Sequence, residues 1–147
     1  MTKDEIIAQV NQSFGNLPRP RMFIRGTCSC DECMEHEETM QSFALPDLPL
    51  DKLGHPSWDP ICFASDDALA YLMPGLIRLV LNHTENYVSQ FLFHLDSPDR
   101  VVVLSKEQRR TLLLALDYLF MNETKALDNN MMIDDFIRVR EKLEQTI

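Results

Sequence analysis

The chain has 147 residues, 45% of them hydrophobic and 25% charged, with a formal net charge of −9. That length and balance suit one globular domain over residues 1–147 with a sizeable core. The acidic surplus repels phosphate backbones and anionic bilayers, so neither nucleic acid nor a membrane surface is an expected partner.

In chain order, Thr2 and Glu5 match a capping box, and Ile6, Ile7, Val10 and Phe14 make one apolar stripe. This predicts a first helix over about 3–14. The start has no basic-then-apolar export pattern, and no run of about 18 apolar residues occurs. A cytoplasmic setting with reduced thiols is therefore expected. Pro18 and Pro20 force an extended path, along which Arg19, Arg21 and Arg25 form the one basic cluster. These arginines either contact an anion or pair, as a solvated loop, with the acidic helices.

Next comes the densest chemistry in the chain, Cys28, Cys30, Cys33 and His36 in the spacing C-x-C-x-x-C-x-x-H. Soft thiolates and a neutral imidazole suit Zn²⁺ or Cu(I), and Zn²⁺ takes about four such donors. Asp31 is the expected N-cap of a second helix, which would place Cys33 and His36 on one face. Cys62 or His55 can complete the shell. Asp31, Glu32, Glu35 and Glu37 crowd the sulfurs with negative charge. Such neighbours raise a thiol pKa, which disfavours redox chemistry, whereas a dication would relieve them.

Residues 44–60 carry Pro46, Pro49, Pro56 and Pro60 and read as a long proline-rich loop. It closes on Trp58 and Asp59, candidate pocket residues that also have plain roles as a buried anchor and a turn former. Ser65 caps a helix that contains Pro74 in its interior. Thr84 is the expected cap of another, with Tyr87, Val88, Phe91, Leu92 and Leu95 inward and Gln90 and His94 on the opposite face. Residues 101–104 form a short apolar run, read as a lone strand or a buried lead-in. Ser105 and Gln108 form a second capping box, and a last helix is expected from about 130 to 145 with Met132, Ile133, Phe136, Ile137 and Leu143 inward. These signals predict a mainly α domain: a bundle of about six helices, with at most one short strand.

Four stretches taken together resemble a family of small uncharacterised bacterial proteins. Its members read like P-R-P-x-x-F, C-x-E-C-x-E-H-D-E-T-L, W-D-P-I-C-F and Y-Y-x-P-A-L. The matching residues are Pro18 to Phe23, Cys30 to Thr39, Trp58 to Phe63 and Tyr71 to Leu76. The likeness covers roughly the middle half of the chain, and nothing beyond residue 84 takes part. Leu72 and Gly75 depart from the pattern's aromatic and alanine. The resemblance implies that the cysteine stretch, the Trp58–Asp59 turn and the helix through Pro74 act as one package. It supplies no catalytic residue.

Three functions follow as expectations. The first is a small binding or regulatory protein with a structural zinc on Cys28, Cys30, Cys33 and His36, with Cys62 or His55 as a substitute ligand. The second is an enzyme using the same metal with an open position, or a thiol, in a pocket containing Trp58 and Asp59. The third is a metal-free acidic domain that meets a basic protein partner.

Overall fold

The computed structural model describes residues 1–147. It is built of nine α-helices and two 3₁₀ turns: α1 Lys3–Phe14, α2 Asp31–Gln41, α3 Leu50–Leu53, α4 Asp66–Asn82, α5 Thr84–Leu95, α6 Pro98–Val101, α7 Lys106–Asn122, α8 Thr124–Asn129 and α9 Ile133–Gln145. The mainly α class follows from the apolar periodicity. The count exceeds about six because α3 and α6 are short pieces where a loop and a lead-in are expected, and α8 is a further short piece between two expected helices.

The capping signals placed α1, α4 and α7 well, whereas Thr84 is the first residue of α5 rather than its cap, and its hydroxyl donates back to the Val80 carbonyl. Thr2 Oγ1 accepts from Glu5 N at 3.2 Å, while Glu5 Oε2 accepts from Thr2 N at 2.8 Å. Ser105 and Gln108 form the same reciprocal pair ahead of α7, and Ser65 Oγ accepts from Ala68 N. Each pair satisfies donors that a helix start otherwise leaves bare.

No strand forms. Pro98, with φ preset for a helix, starts α6 instead, and the run 101–104 finishes it and turns. Val101 and Leu104 point into the core, and Val102 and Val103 are exposed. The only β pairing is one antiparallel bridge between Ile24 and Ala64.

The core is one continuous cluster of 35 buried residues. α4 contributes most, with buried Leu69, Leu72, Met73, Leu76, Ile77 and Val80 among others. It packs between α1, α5 and α7, and α9 covers α5 and α7. α9 buries Phe136, Val139 and Leu143, whereas Ile137 is turned outward. The proline-rich loop lies on α4 at Gly75. A Cβ there would come within 2.7 Å of Leu48 Cγ and Cδ1 and 2.8 Å of Leu45 Cδ2. The absent Cβ leaves room for these two leucine side chains to lie directly on the helix backbone.

α2 sits at the edge, against the 3₁₀ turn Pro60–Phe63. Three ties hold it. Glu37 Oε1 accepts from Phe23 N at 2.8 Å and Ile24 N at 3.0 Å. Arg19 donates to the Gln41 and Phe43 carbonyls at the end of α2, at 2.6 and 3.0 Å, where a cation suits the helix dipole. Its guanidinium also lies over the rings of Phe23 and Tyr71, at 5.0 and 5.9 Å. Arg19, Arg21 and Arg25 make no ion pair with any acidic helix. Arg19 and Arg25 are instead bound to carbonyls.

Candidate functional site

Two groups of donor side chains are close enough to hold a metal ion: Cys28, Cys30 and Cys33, and Asp59, Cys62 and His94. The first is local. Gly26, with φ of +70°, turns the chain in the left-handed region that glycine tolerates, and leads into the loop carrying Cys28. Cys30, not Asp31, is the N-cap of α2. Its sulfur accepts from Cys33 N at 3.4 Å, and Asp31 becomes the first helical residue. A capping side chain points back over the first turn, so Cys30 Sγ comes to lie beside Cys33. Cys28 Sγ is 3.2 Å from Cys30 Sγ, and all three sulfurs lie within 4.8 Å of one another.

The sulfurs influence one another's protons. Hydrogen bonds from the Cys30 backbone and from the Cys33 and Cys30 thiols pull the Cys28 pKa down. Cys33, donating to both neighbours and facing their charge, is pushed up to about 12. Cys28 and Cys30 are exposed and Cys33 is half-buried, so the group lies at the surface.

His36 is placed elsewhere. It is fully buried, and its ring is stacked on Phe63 at 4.4 Å and tilted against Trp58 at 4.5 Å. Neither ring nitrogen meets a hydrogen-bond partner, and the nearest charge is Glu32, 3.7 Å from Nε2. The i, i+3 spacing holds, but the imidazole turns toward the Trp58 turn and does not join the converging sulfurs. Cys62 also lies apart from them, in the second group. Trp58 remains part exposed, which leaves its ring as a lid over His36.

The second group is assembled from distant pieces. Asp59, buried, accepts at Oδ1 from Ile61 N at 3.0 Å and so caps the Pro60–Phe63 turn. Its Oδ2 accepts from Gln90 Nε2 at 2.9 Å and meets His94 Nε2 at 2.8 Å. Gln90 also donates to the Leu53 carbonyl at 2.6 Å, which ties the end of α3 to α5. Gln90 and His94 therefore face inward, against the expectation that they share the outer face of α5. Residues four apart lie on one side of a helix, and a buried carboxylate supplies the partner they need. The outward residue is Phe93, 68% exposed.

Burial and the Asp59 charge raise the Cys62 thiol pKa, while Arg100 and Arg25 pull it down. Tyr87, whose hydroxyl is buried without a partner, is driven well above its ordinary value by burial and then by the same carboxylate.

No family model, no curated protein and no solved structure matches this chain.

The site's chemistry therefore has to be read from these side chains. What the sequence signalled was the thiol spacing. What it hid was the Asp59–Gln90–His94 network, whose members lie 31 and 35 residues apart. One signal was available: two polar residues four apart, within a helix otherwise rich in large apolar side chains.

Proposed function

We propose that the protein is a small binding or regulatory protein that holds one zinc ion on the Cys28, Cys30 and Cys33 thiolates. The observation that carries this reading is the convergence of three sulfurs within 4.8 Å at the start of α2. On a tetrahedron with Zn–S of about 2.3 Å, sulfurs stand about 3.8 Å apart, so small rotamer changes bring this group to that spacing. Asp31, Glu32 and Glu35 add negative charge around it, which favours a dication. With His36 engaged by Trp58 and Phe63, the fourth position is left to water or to a donor brought by a partner protein.

Such an ion would staple the 26–30 loop to the first turn of α2. All three ligands fall within six residues, Cys28 to Cys33, so the unfolded chain can bind the ion too. Binding to both states cancels most of the effect on global stability. The reading is tested by counting thiols with a chromogenic disulfide. Metal-free protein should titrate four cysteines, and protein with one equivalent of zinc only one, Cys62. Four reactive thiols in the presence of zinc would sink the reading.

A second reading, a metal-dependent enzyme on the same ion, is favoured by the fact that only three protein donors converge. Catalytic zinc keeps three protein ligands and an open fourth position. Because both readings leave that position open, turnover separates them: zinc-loaded protein that hydrolyses ester or amide substrates, with the activity lost in Cys30→Ser, favours the enzyme, and inactivity throughout favours the binding protein.

A further inference from the structure

A cleft of about 480 Å³ opens beside the second group, lined by Arg25, Cys62, His94 and Arg100, with Phe93, Asp96 and Ser97 at its rim. That is the size of an ordinary small-ligand pocket. Its charge is unusual for so acidic a chain. Arg25 and Arg100 both border it, and neither forms an ion pair with a carboxylate. Arg25 donates to the Cys62 carbonyl. Arg100 donates to Ala64 O at 2.7 Å and Ile61 O at 3.4 Å, and its Nε is buried with no partner. A guanidinium carries five N–H donors, so both keep donors to spare. Burial, and then the Arg25 charge, depress the Arg100 pKa, as expected for two cations held near each other without a counterion.

The acids nearby do not fill this role. Asp96 is taken by Arg138 at 2.6 Å and Lys142 at 2.9 Å. Asp59 has both oxygens occupied by Ile61 N, Gln90 and His94. Asp66 influences Arg100 but lies beyond ion-pair distance. The same facts argue against a metal on Asp59, Cys62 and His94. Two arginines would repel the cation, and most of the carboxylate's accepting capacity is already used by Ile61 N, Gln90 and His94. His94, with Nε2 on Asp59, has its second nitrogen buried without a partner, and it lines the cleft. With Nε2–H donated to Asp59, that second nitrogen is an acceptor, so a hydroxyl or N–H of a ligand, rather than its oxyanion, is what would satisfy it.

We propose that this cleft is an oxyanion-binding site, in which Arg25 and Arg100 grip the carboxylate or phosphate of a small ligand and set it beside Cys62 and His94. The planar fork of arginine suits either group. Phe93 offers an apolar wall for the rest of the molecule.

Alkylation of Cys62 tests this in the intact chain. Iodoacetate and iodoacetamide both react by thiolate attack at carbon with loss of iodide, so their rate ratio cancels the thiolate fraction. Only the first carries a carboxylate. Rates at Cys62, resolved by peptide mass spectrometry, are compared with those of 2-mercaptoethanol in the same solution. The iodoacetate-to-iodoacetamide ratio should be about tenfold higher at Cys62 than for the free thiol at low salt, and should fall as salt rises. Arg25→Gln and Arg100→Lys should each reduce it severalfold, with circular dichroism confirming the fold. Inorganic phosphate and succinate are then added separately as competitors. Protection by phosphate alone assigns a phosphoryl ligand, by succinate alone a carboxylate, and by both a general oxyanion site. A ratio equal to that of the free thiol, or protection by neither anion, overturns the proposal; because both readouts use the wild-type chain, a misfolded variant does not rescue it.

Discussion

The thiol group at the start of α2 and the Asp59 network under α5 are both clusters of chemically active side chains, yet they are built in opposite ways. The first takes all its members from six consecutive residues at the surface. The second joins a 3₁₀ turn, the end of α3 and two turns of α5, with Asp59 and His94 almost wholly buried. A local cluster exists whether or not the rest of the chain folds. A distributed one exists only because the chain folds, and its loss is felt by every element it joins. The contrast teaches where chemistry and stability are separable in this molecule and where they are not.

The strongest way to break that contrast is Asp59→Ala. It strands Gln90 and His94 and uncaps the Pro60–Phe63 turn at once. Removing one partner from a buried hydrogen-bonded group costs about 3 kcal/mol, which urea denaturation would detect. A loss below about 1 kcal/mol would mean that the network contributes no more than a surface pair.

His36 offers a sharper comparison, because it is next to the thiols in sequence but is built into the core. His36→Ala removes a ring packed between Trp58 and Phe63 and should cost about 2 kcal/mol while leaving zinc stoichiometry at the thiols intact. Cys30→Ser should do the reverse. Serine is a better helix cap than cysteine, so the unfolding midpoint should hold while zinc retention fails. If His36→Ala also released the metal, the separation drawn here between imidazole and thiols would be wrong.

The smallest effect concerns the rim of the cleft. Hydrogen bonds from Arg138 and Lys142 hold the Asp96 carboxyl below its ordinary value. A carboxyl whose folded pKa is depressed contributes stability that is complete above the unfolded value of about 3.9 and is lost as pH falls through the folded value. The stability difference between the wild type and Asp96→Asn should therefore be constant above about pH 5 and shrink below about pH 4. A difference that does not change with pH would show that the carboxylate's charge is not what holds the two cations.

Much of the architecture could be read from the chain because the signals were local. Caps at Thr2, Ser65 and Ser105 mark helix starts by chemistry confined to four residues. Short helices escaped because α3, α6 and α8 are only 4, 4 and 6 residues long, too few for apolar periodicity to repeat. At the thiols, spacing predicted proximity for the three sulfurs but not the direction of His36, whose ring packs against Trp58 and against Phe63 of the Pro60–Phe63 turn. Gln90 and His94 could not be placed from periodicity alone. A polar side chain faces inward only when a partner waits for it, and Asp59 lies in a different element.

The close approach at Gly75 has a consequence for how this chain can vary. The missing methyl at 75 and the leucines at 45 and 48 occupy the same few cubic ångströms. In a chain with alanine after the proline, the leucines would have to shrink or swing aside. Substitutions at these three places are thus expected to travel together through descent.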